Sequence, residues 1–231
     1  MSTPKPIYGI IGFPLEHSLS PVMHNTAFKE LGVDAEYKLF PLQEEELGDF
    51  FADLREKDSP IFGLNVTVPY KEAVIKYLDV LSPFAQKVNA VNTIVISPER
   101  KLTGFNTDGP GFLTHLIELG FQTGGKRVAI LGAGGTTRAI VAVLCLLPER
   151  PASIKIYNRT RENLGQLLGD LGKRLDVSIV QPADSIDDLD IAMANLLINT
   201  TSVGLKANDP GLVDENQSMP ILNWLPFFKE L

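Results

Sequence analysis

A glycine-rich turn between two apolar stretches constrains this chain more than any other feature of its sequence. Residues 127–131 are a short apolar run, typical of a buried parallel strand, and residues 136–147 have the apolar content of a buried helix. Between them lie Gly132, Ala133, Gly134 and Gly135. A glycine turn from strand to helix lets the backbone approach a pyrophosphate, whose charge is held by N–H groups at the helix N-terminus. The stretch predicts a dinucleotide site, although an ordinary tight turn would look similar, and Thr137 replaces the third glycine or alanine of the fingerprint.

The end of the next strand indicates which dinucleotide binds. Residues 153–158 read as a second buried strand. At its end stand Asn158, Arg159, Thr160 and Arg161. An NAD site would place Asp or Glu there for the ribose 2′-hydroxyl, and none of these four residues is acidic. Guanidinium groups suit a 2′-phosphate, so NADP is favoured over NAD, although a capping threonine with solvated arginines would explain the same residues.

Composition places the chain among ordinary globular proteins. It has 231 residues, 44% apolar and 21% charged, and its net charge of −7 with dispersed positive residues favours neither nucleic acid nor a membrane surface as partner. Cys145, the one cysteine, lies in an apolar helix and reads as a core residue of a reducing compartment. The start lacks a signal-peptide pattern, so we expect a cytoplasmic protein. His17, His24 and His115 have no metal-ligand spacing, so no metal site is predicted.

Strand and helix patterns alternate along the chain. Strands are predicted at 8–12, 36–42, 61–68, 90–96, 102–105, 127–131, 153–158, 177–180 and 196–199. Helices are predicted at 20–31, 44–57, 70–78, 83–88, 107–119, 136–147, 161–175 and 186–194. Such alternation gives parallel sheets with helices on their faces.

We therefore predict an α/β protein of two open parallel-sheet domains. The first, residues 1–105, should bind the substrate. The second, residues 106–231, should be a Rossmann-type nucleotide-binding domain that starts with a linking helix in 106–120 and ends in a divergent tail at 205–231.

Polar side chains follow several predicted strands, where ligands of open parallel sheets bind. Ser18 and Ser20 lie where a helix is predicted to begin, with Ser20 at its N-cap. Their hydroxyls could bind a carboxylate, or they could serve only to cap that helix. Lys71 is predicted to open a helix against the usual charge preference, and such violations cluster at functional sites; a solvated lysine paired with Glu72 is the simpler alternative. Asp108 begins the linking helix as a cap, and beside Lys71 it would form a proton-transfer dyad next to a hydride acceptor.

Taken together, these segments resemble the shikimate dehydrogenase family. Six motifs occur in the family's order within residues 7–205: PLEHSLSP at 14–21 with HN at 24–25, NVTVPYK at 65–71, AVNT at 90–93, NTD at 106–108, GAGG at 132–135 and NRT at 158–160. The resemblance implies an oxidoreductase that reversibly reduces 3-dehydroshikimate to shikimate with NADPH, in aromatic amino acid (chorismate) biosynthesis. We expect a monomer or a homodimer that binds a small-molecule substrate and neither nucleic acid nor a membrane.

The resemblance also implies roles for individual residues. The substrate-binding set is Ser18, Ser20, Thr67, Lys71, Asn92 and Asp108. The two serines hold the carboxylate, Thr67, Asn92 and Asp108 contact the ring hydroxyls, and Lys71 and Asp108 are the catalytic pair. Lys71 supplies the proton to the alkoxide that forms as hydride reaches the ring ketone. Residues 199–204 resemble a segment that in the family passes near the nicotinamide.

Two departures from the family pattern stand out. Asn89 replaces a usual glycine, and asparagine tolerates positive φ better than most residues. The 27 residues after Gly204 contain neither a recognisable strand with a substrate-pocket tyrosine nor a recognisable helix bearing a glutamine, since Gln217 has no surrounding match. The apolar residues 219–231 would instead pack on the surface left bare, join two subunits or promote aggregation. This leaves open two alternatives: an impaired member that only binds nucleotide, and a quinate/shikimate dehydrogenase that uses NAD.

Overall fold

The computed structural model describes residues 5–201, 203 and 221–223, the last three for their backbone only. Most of the tail at 205–231, including Gln217, lies outside the described residues. The chain divides into two compact units, one ending at Thr107 and the other beginning at Asp108. No helix in the described ranges has both the length and the apolar character needed to cross a bilayer.

The first unit is a sheet with helices. Its described strands are β1 Ile7–Gly12, β2 Glu36–Pro41, β3 Ile61–Val66, β4 Val80–Leu81, β5 Thr93–Ile96 and β6 Leu102–Phe105. Its α-helices are α1 Ser20–Glu30, α2 Leu47–Asp53 and α3 Pro83–Val88. The strand order is β2-β1-β3-β5-β6-β4. β1 runs parallel to β2 and β3, whereas β5 is antiparallel to both of its neighbours. A tight turn at Arg100, with φ 65°, joins β5 to β6.

The core of the first unit lies between α2 and the sheet. Leu47 and Phe51 of α2 are buried against strand residues such as Ile11 and Leu64. The Phe51 ring also stacks on Tyr77 with centroids 4.7 Å apart. These buried side chains fix the sheet against α2, and thereby fix the strand ends that carry the candidate site.

The second unit contains a parallel sheet among its described residues. Its strands are β7 Arg127–Leu131, β8 Ser153–Tyr157, β9 Val180–Ala183, β10 Leu196–Asn199 and β11 Ile221–Asn223. Its α-helices are α4 Asp108–Glu118, α5 Gly135–Cys145 and α6 Arg161–Gly172. The strand order is β11-β10-β7-β8-β9, and each strand is parallel to its neighbours. If the five strands β7 to β11 are renumbered 1 to 5, this order is 5-4-1-2-3. It is the Rossmann order, with its switch point between β7 and β10. The predicted α/β class and Rossmann-type second unit are confirmed.

Several sequence predictions need correction. The helix predicted at 70–78 is only a 3₁₀ helix at Ala73–Tyr77, and that at 186–194 is two 3₁₀ turns separated by Asp190, whose φ is 58°. The strand predicted at 177–180 is wrong: a turn closes there, and the strand is β9. The sequence also missed β4 and β11. The latter pairs with β10, so part of the divergent tail supplies the further strand that the sequence pattern did not reveal.

Two local expectations are confirmed. Asn89 ends α3 in the left-handed conformation with φ 55°, where the family pattern would place glycine. Cys145 is buried at the end of α5, and burial raises the pKa of its thiol to about 11.

Candidate functional site

The carboxyl ends of β1 and β3 are joined by backbone hydrogen bonds. The Thr67 N–H donates to the Ile11 carbonyl at 2.9 Å, and the Phe13 N–H donates to the Val68 carbonyl at 3.1 Å. Gly12 makes this approach possible, because a Cβ there would lie 2.4 Å from the Thr67 Cγ2 atom. The half-buried Thr67 is therefore held just beyond the end of β3, beside the end of β1.

The two serines lie at the start of α1, Ser18 in the loop before it and Ser20 as its first residue. The Ser18 Oγ atom accepts from the Ser20 N–H at 3.4 Å, and the Ser18 N–H donates to the Leu15 carbonyl. The prediction that Ser20 is the N-cap is wrong: Leu19 occupies that position, no side chain caps it, and Ser20 is the first residue of the helix. The Ser20 hydroxyl is engaged elsewhere.

Its partner is Tyr37, a residue that sequence reasoning did not single out. The Tyr37 side chain hydrogen-bonds with Ser20, and its hydroxyl donates to the Asn65 Oδ1 atom at 2.7 Å. Burial raises the pKa of Tyr37, while the hydrogen bond with Ser20 opposes that shift. The Asn25 side chain accepts from the Tyr37 N–H at 2.9 Å and donates to its carbonyl at 3.0 Å, and the His24 ring stacks on the phenol at 4.2 Å. His24 and Asn25 therefore hold Tyr37 in place.

The same network continues to Asn92. The Asn65 Nδ2 atom donates to the Asn92 carbonyl at 3.5 Å. The Asn92 side chain accepts from the Thr107 N–H at 2.9 Å, and its Nδ2 atom donates to the Thr107 Oγ1 atom at 2.8 Å. Ser20, Tyr37, Asn65 and Asn92 thus form one hydrogen-bonded row within the first unit, which we call the polar row.

Lys71 does not open a helix. It precedes the 3₁₀ helix Ala73–Tyr77, whose N-cap is Glu72, so the argument from an α-helix dipole at Lys71 was wrong. The half-buried Lys71 is anchored through its backbone, because its carbonyl accepts from the Val91 N–H at 2.7 Å. It is thereby held beside the segment that carries Asn92 and leads into β5.

Asp108 is the first residue of α4 and is half-buried. A carboxylate is favourable at this end of a helix because the N-terminal turn carries partial positive charge. The two residues before it are held within the first unit: Asn92 bonds Thr107, and the buried Asn106 side chain donates to the Ala90 carbonyl at 3.1 Å.

The glycine loop follows β7 at the switch point of the second sheet. Gly132 has a φ of 109°, and a Cβ there would lie 2.4 Å from the Thr200 Oγ1 atom, so only glycine fits. Gly134 is the N-cap of α5, and a Cβ added to it would meet no atom within 4 Å. The open space over Gly134 and the helix N-terminus beside it fit a pyrophosphate.

Thr137 explains why the third fingerprint glycine is dispensable here. It is fully buried, and its hydroxyl donates to the Gly132 carbonyl at 3.0 Å and lies 2.7 Å from the Thr200 Oγ1 atom. Thr200 in turn donates to the Leu131 carbonyl at 2.7 Å. The two threonines therefore fix the glycine loop against the end of β10. The following turn is closed by Asn199, which accepts from the Thr201 hydroxyl and donates to the Val203 carbonyl.

The predicted 2′-phosphate residues lie together after β8. Thr160 is the N-cap of α6, but its side chain makes no capping bond; instead the Asn158 Nδ2 atom donates to the Thr160 carbonyl at 2.7 Å. Arg159 is exposed, and Arg161 forms an ion pair with Asp184. Sequence reasoning missed Asp184, because it comes from the neighbouring strand end.

No group of three or more His, Cys, Asp or Glu side chains in the described part of the chain has a geometry that could hold a metal ion. The candidate groups are therefore hydroxyls, amides, one lysine, carboxylates and guanidinium groups. These suit a small polar organic substrate and a phosphorylated dinucleotide.

Comparisons with known proteins agree on one family. Residues 10–94 match the family described as the shikimate dehydrogenase substrate binding domain. The NADP(+) shikimate dehydrogenase of Moorella thermoacetica is 42% identical over 201 residues, which cover 86% of this chain and 66% of that protein.

Solved structures give the same result. The shikimate dehydrogenase of Aquifex aeolicus matches with a TM-score of 0.78 and 35% identity, over 93% of this chain and 75% of that one. The shikimate 5-dehydrogenase of Thermus thermophilus, solved with NADP(H) and shikimate, matches with a TM-score of 0.71 and 34% identity, over 87% of this chain and 70% of that one. The chain spans about two thirds of the length of the curated relatives it matches. Identity and fold together show that this chain belongs to the shikimate dehydrogenase family.

Proposed function

We propose that this protein catalyses the reversible NADP-dependent reduction of 3-dehydroshikimate to shikimate, a step of chorismate and aromatic amino acid biosynthesis. The observation that carries the proposal is the polar row in the first unit, in a chain whose second unit has a Rossmann sheet. A row of hydroxyl and amide groups suits a substrate with several ring hydroxyls. The relatives named NADP(+) shikimate dehydrogenases support the same reaction.

We propose that the substrate is held mainly by neutral hydrogen-bonding groups. Ser18 and Ser20 take the carboxylate next to the start of α1, where backbone N–H groups have no acceptor within the helix. Thr67 and Asn92 contact ring hydroxyls. Tyr37 and Asn65 are bonded to each other, to Ser20 and to the Asn92 backbone carbonyl, so they hold in place the segments that carry Ser20 and Asn92.

Lys71 and Asp108 are proposed as the catalytic pair. As the ring ketone gains electron density, its oxygen becomes basic, and the Lys71 ammonium donates a proton to it. The Asp108 carboxylate contacts a ring hydroxyl. In the reverse direction Lys71 takes the proton from the shikimate hydroxyl, so its backbone anchor to Val91 serves both directions.

The cofactor is proposed to be NADP, which when bound exchanges hydride with the carbon of the ring ketone. Gly132, Ala133, Gly134 and Gly135 hold its pyrophosphate. Asn158, Arg159, Thr160 and Arg161 hold its 2′-phosphate. The open space over Gly134 and the exposed Arg159 guanidinium support this assignment. We propose a cytoplasmic location and a monomer or homodimer.

The test is spectrophotometric. Purified protein with shikimate and NADP should form reduced nicotinamide, and Lys71→Ala should lower kcat by at least about a hundredfold because a general acid–base group is lost. Lys57→Ala, a change of the same type at an exposed turn of the same unit, is the matched control and should leave the rate unchanged.

Substitution of NAD for NADP and of quinate for shikimate in the same assay defines the cofactor and the substrate. The proposal predicts a clear preference for NADP and shikimate. No reduced nicotinamide above the Lys71→Ala background would contradict it.

A further inference from the structure

The proposed 2′-phosphate site contains a carboxylate that the local sequence does not show. Arg161, at the start of α6, is ion-paired with Asp184, and both side chains are largely exposed, at 73% and 61%. An arginine at the first turn of an α-helix is unfavourable with respect to the helix dipole. Asp184 offsets that charge, so one of the two guanidinium groups proposed for the phosphate already has an anionic partner.

The sheet places Asp184 there. β8 and β9 are parallel neighbours, with Tyr157 opposite Ala183 in register. The residues that follow the two strands therefore emerge at the same edge of the sheet, Asn158 beside Asp184. The segment after Asp184 is itself held, because Asp188 accepts from the Ser185 N–H at 3.0 Å and from its hydroxyl at 2.8 Å.

The two arginines differ in their surroundings. Among the residues that the structure describes, no ion pair involves Arg159, whereas Arg161 is paired with Asp184. A 2′-phosphate carries negative charge and must compete with the Asp184 carboxylate for Arg161, while the two anions repel each other.

We propose that Asp184 is a specificity-determining residue that weakens the contribution of Arg161 to 2′-phosphate binding. Arg159 then makes the main contact with the phosphate, and Asp184 limits the discrimination between phosphorylated and unphosphorylated nucleotide. This inference rests on the proposed use of NADP.

The experiment measures binding by isothermal titration calorimetry with 2′,5′-ADP and 5′-AMP, which differ only in the 2′-phosphate. Asp184→Asn should bind 2′,5′-ADP about three- to tenfold more tightly at low ionic strength, and this gain should shrink as salt is added. The affinity for 5′-AMP should change less than about twofold, because no phosphate faces the substituted carboxylate.

Asp176→Asn is the matched control. It removes the same charge and also breaks an ion pair, that with Arg150 at 2.8 Å, and should leave both affinities unchanged. Thermal unfolding of both variants checks that the fold is retained, as expected for exposed side chains.

A double-mutant cycle supplies the second measurement. Arg161→Ala should cost little affinity for 2′,5′-ADP in the native background and more in Asp184→Asn, where the guanidinium is released. Arg159→Ala should be costly in both. Unchanged or weaker binding of 2′,5′-ADP by Asp184→Asn would overturn the inference, because Asp184 would then be neutral or would orient Arg161 toward the phosphate. Binding requires no turnover, so this result is independent of whether shikimate is oxidised.

Discussion

Two glycines of the loop after β7, Gly132 and Gly134, should respond differently to the same substitution. In Gly132→Ala the new Cβ would lie 2.4 Å from the Thr200 Oγ1 atom, and the alanine would have to adopt a φ of 109°. Positive φ costs an L-residue about 1–3 kcal/mol, and overpacking of a filled site costs about 1–3 kcal/mol. We expect a loss of about 2–6 kcal/mol in the free energy of unfolding of the second unit.

The cost is difficult to relieve because Thr200 cannot simply move. Its hydroxyl donates to the Leu131 carbonyl and lies 2.7 Å from that of the buried Thr137. Displacing it would leave buried polar groups unpaired at about 1–3 kcal/mol each. A domain's total stability is about 5–15 kcal/mol, so the loss should be visible as a lower urea midpoint.

Gly134→Ala is the matched substitution. Gly134 has a φ of −94° and no neighbour within 4 Å of an added Cβ, so the fold should lose no more than about 1 kcal/mol from the poorer N-cap. The added methyl group fills the space proposed for the pyrophosphate, so NADP affinity should fall at least about tenfold, which is about 1.4 kcal/mol.

Urea unfolding followed by circular dichroism measures the first effect, and calorimetric titration with NADP measures the second. If Gly132→Ala lies within about 0.5 kcal/mol of the unsubstituted protein, the steric argument is refuted. If Gly134→Ala binds NADP normally, the loop is not the pyrophosphate site.

Three further predictions concern other parts of the chain. Tyr37→Phe should lower the free energy of unfolding by about 1–2 kcal/mol and raise the KM for shikimate, because Asn65 loses its 2.7 Å donor. Asp79→Asn should destabilise the fold at neutral pH. Arg55, with the Leu102 N–H, holds the pKa of Asp79 below its ordinary value of 3.8. The ionised carboxylate therefore stabilises the fold above that value, and this contribution disappears as pH falls through the lower folded-state pKa. The Cys145 thiol, whose pKa burial raises to about 11, should resist aromatic disulfide reagents at about pH 8 until urea unfolds the chain.

These predictions can be checked against control variants and against outcomes that would contradict them. Tyr8→Phe, in a ring that packs on Phe28, is the matched control for Tyr37→Phe and should leave the KM unchanged. Asp34→Asn breaks an exposed pair with Lys5 and should have a much smaller effect than Asp79→Asn. If the difference in the free energy of unfolding between Asp79→Asn and the unsubstituted protein does not shrink in acid, the argument about Asp79 is contradicted. If the Cys145 thiol reacts rapidly in the native protein, the argument about its burial is contradicted.

The sequence predicted those elements whose signals are local. Arg127–Leu131, Leu102–Phe105 and Leu196–Asn199 are strands with the predicted bounds, since each is a short apolar or alternating run between turn residues. The helix Pro83–Val88 was also exact in its bounds, because proline starts it and Asn89 ends it in a left-handed conformation. Where the local signal was weak, as for β9, the strand lies three residues later than predicted.

What the sequence by itself determined is the α/β alternation, the glycine loop and the residue types at the strand ends, because hydrophobic period and turn chemistry depend on near neighbours in the chain. Only the tertiary structure decided which of these side chains meet. Tyr37 reaches Asn65 across 28 positions, and Arg161 meets Asp184 across 23, because parallel strands bring distant segments to one edge of a sheet. The net charge around the proposed 2′-phosphate residues therefore depends on two strands, and the local sequence alone shows the arginines without the Asp184 carboxylate.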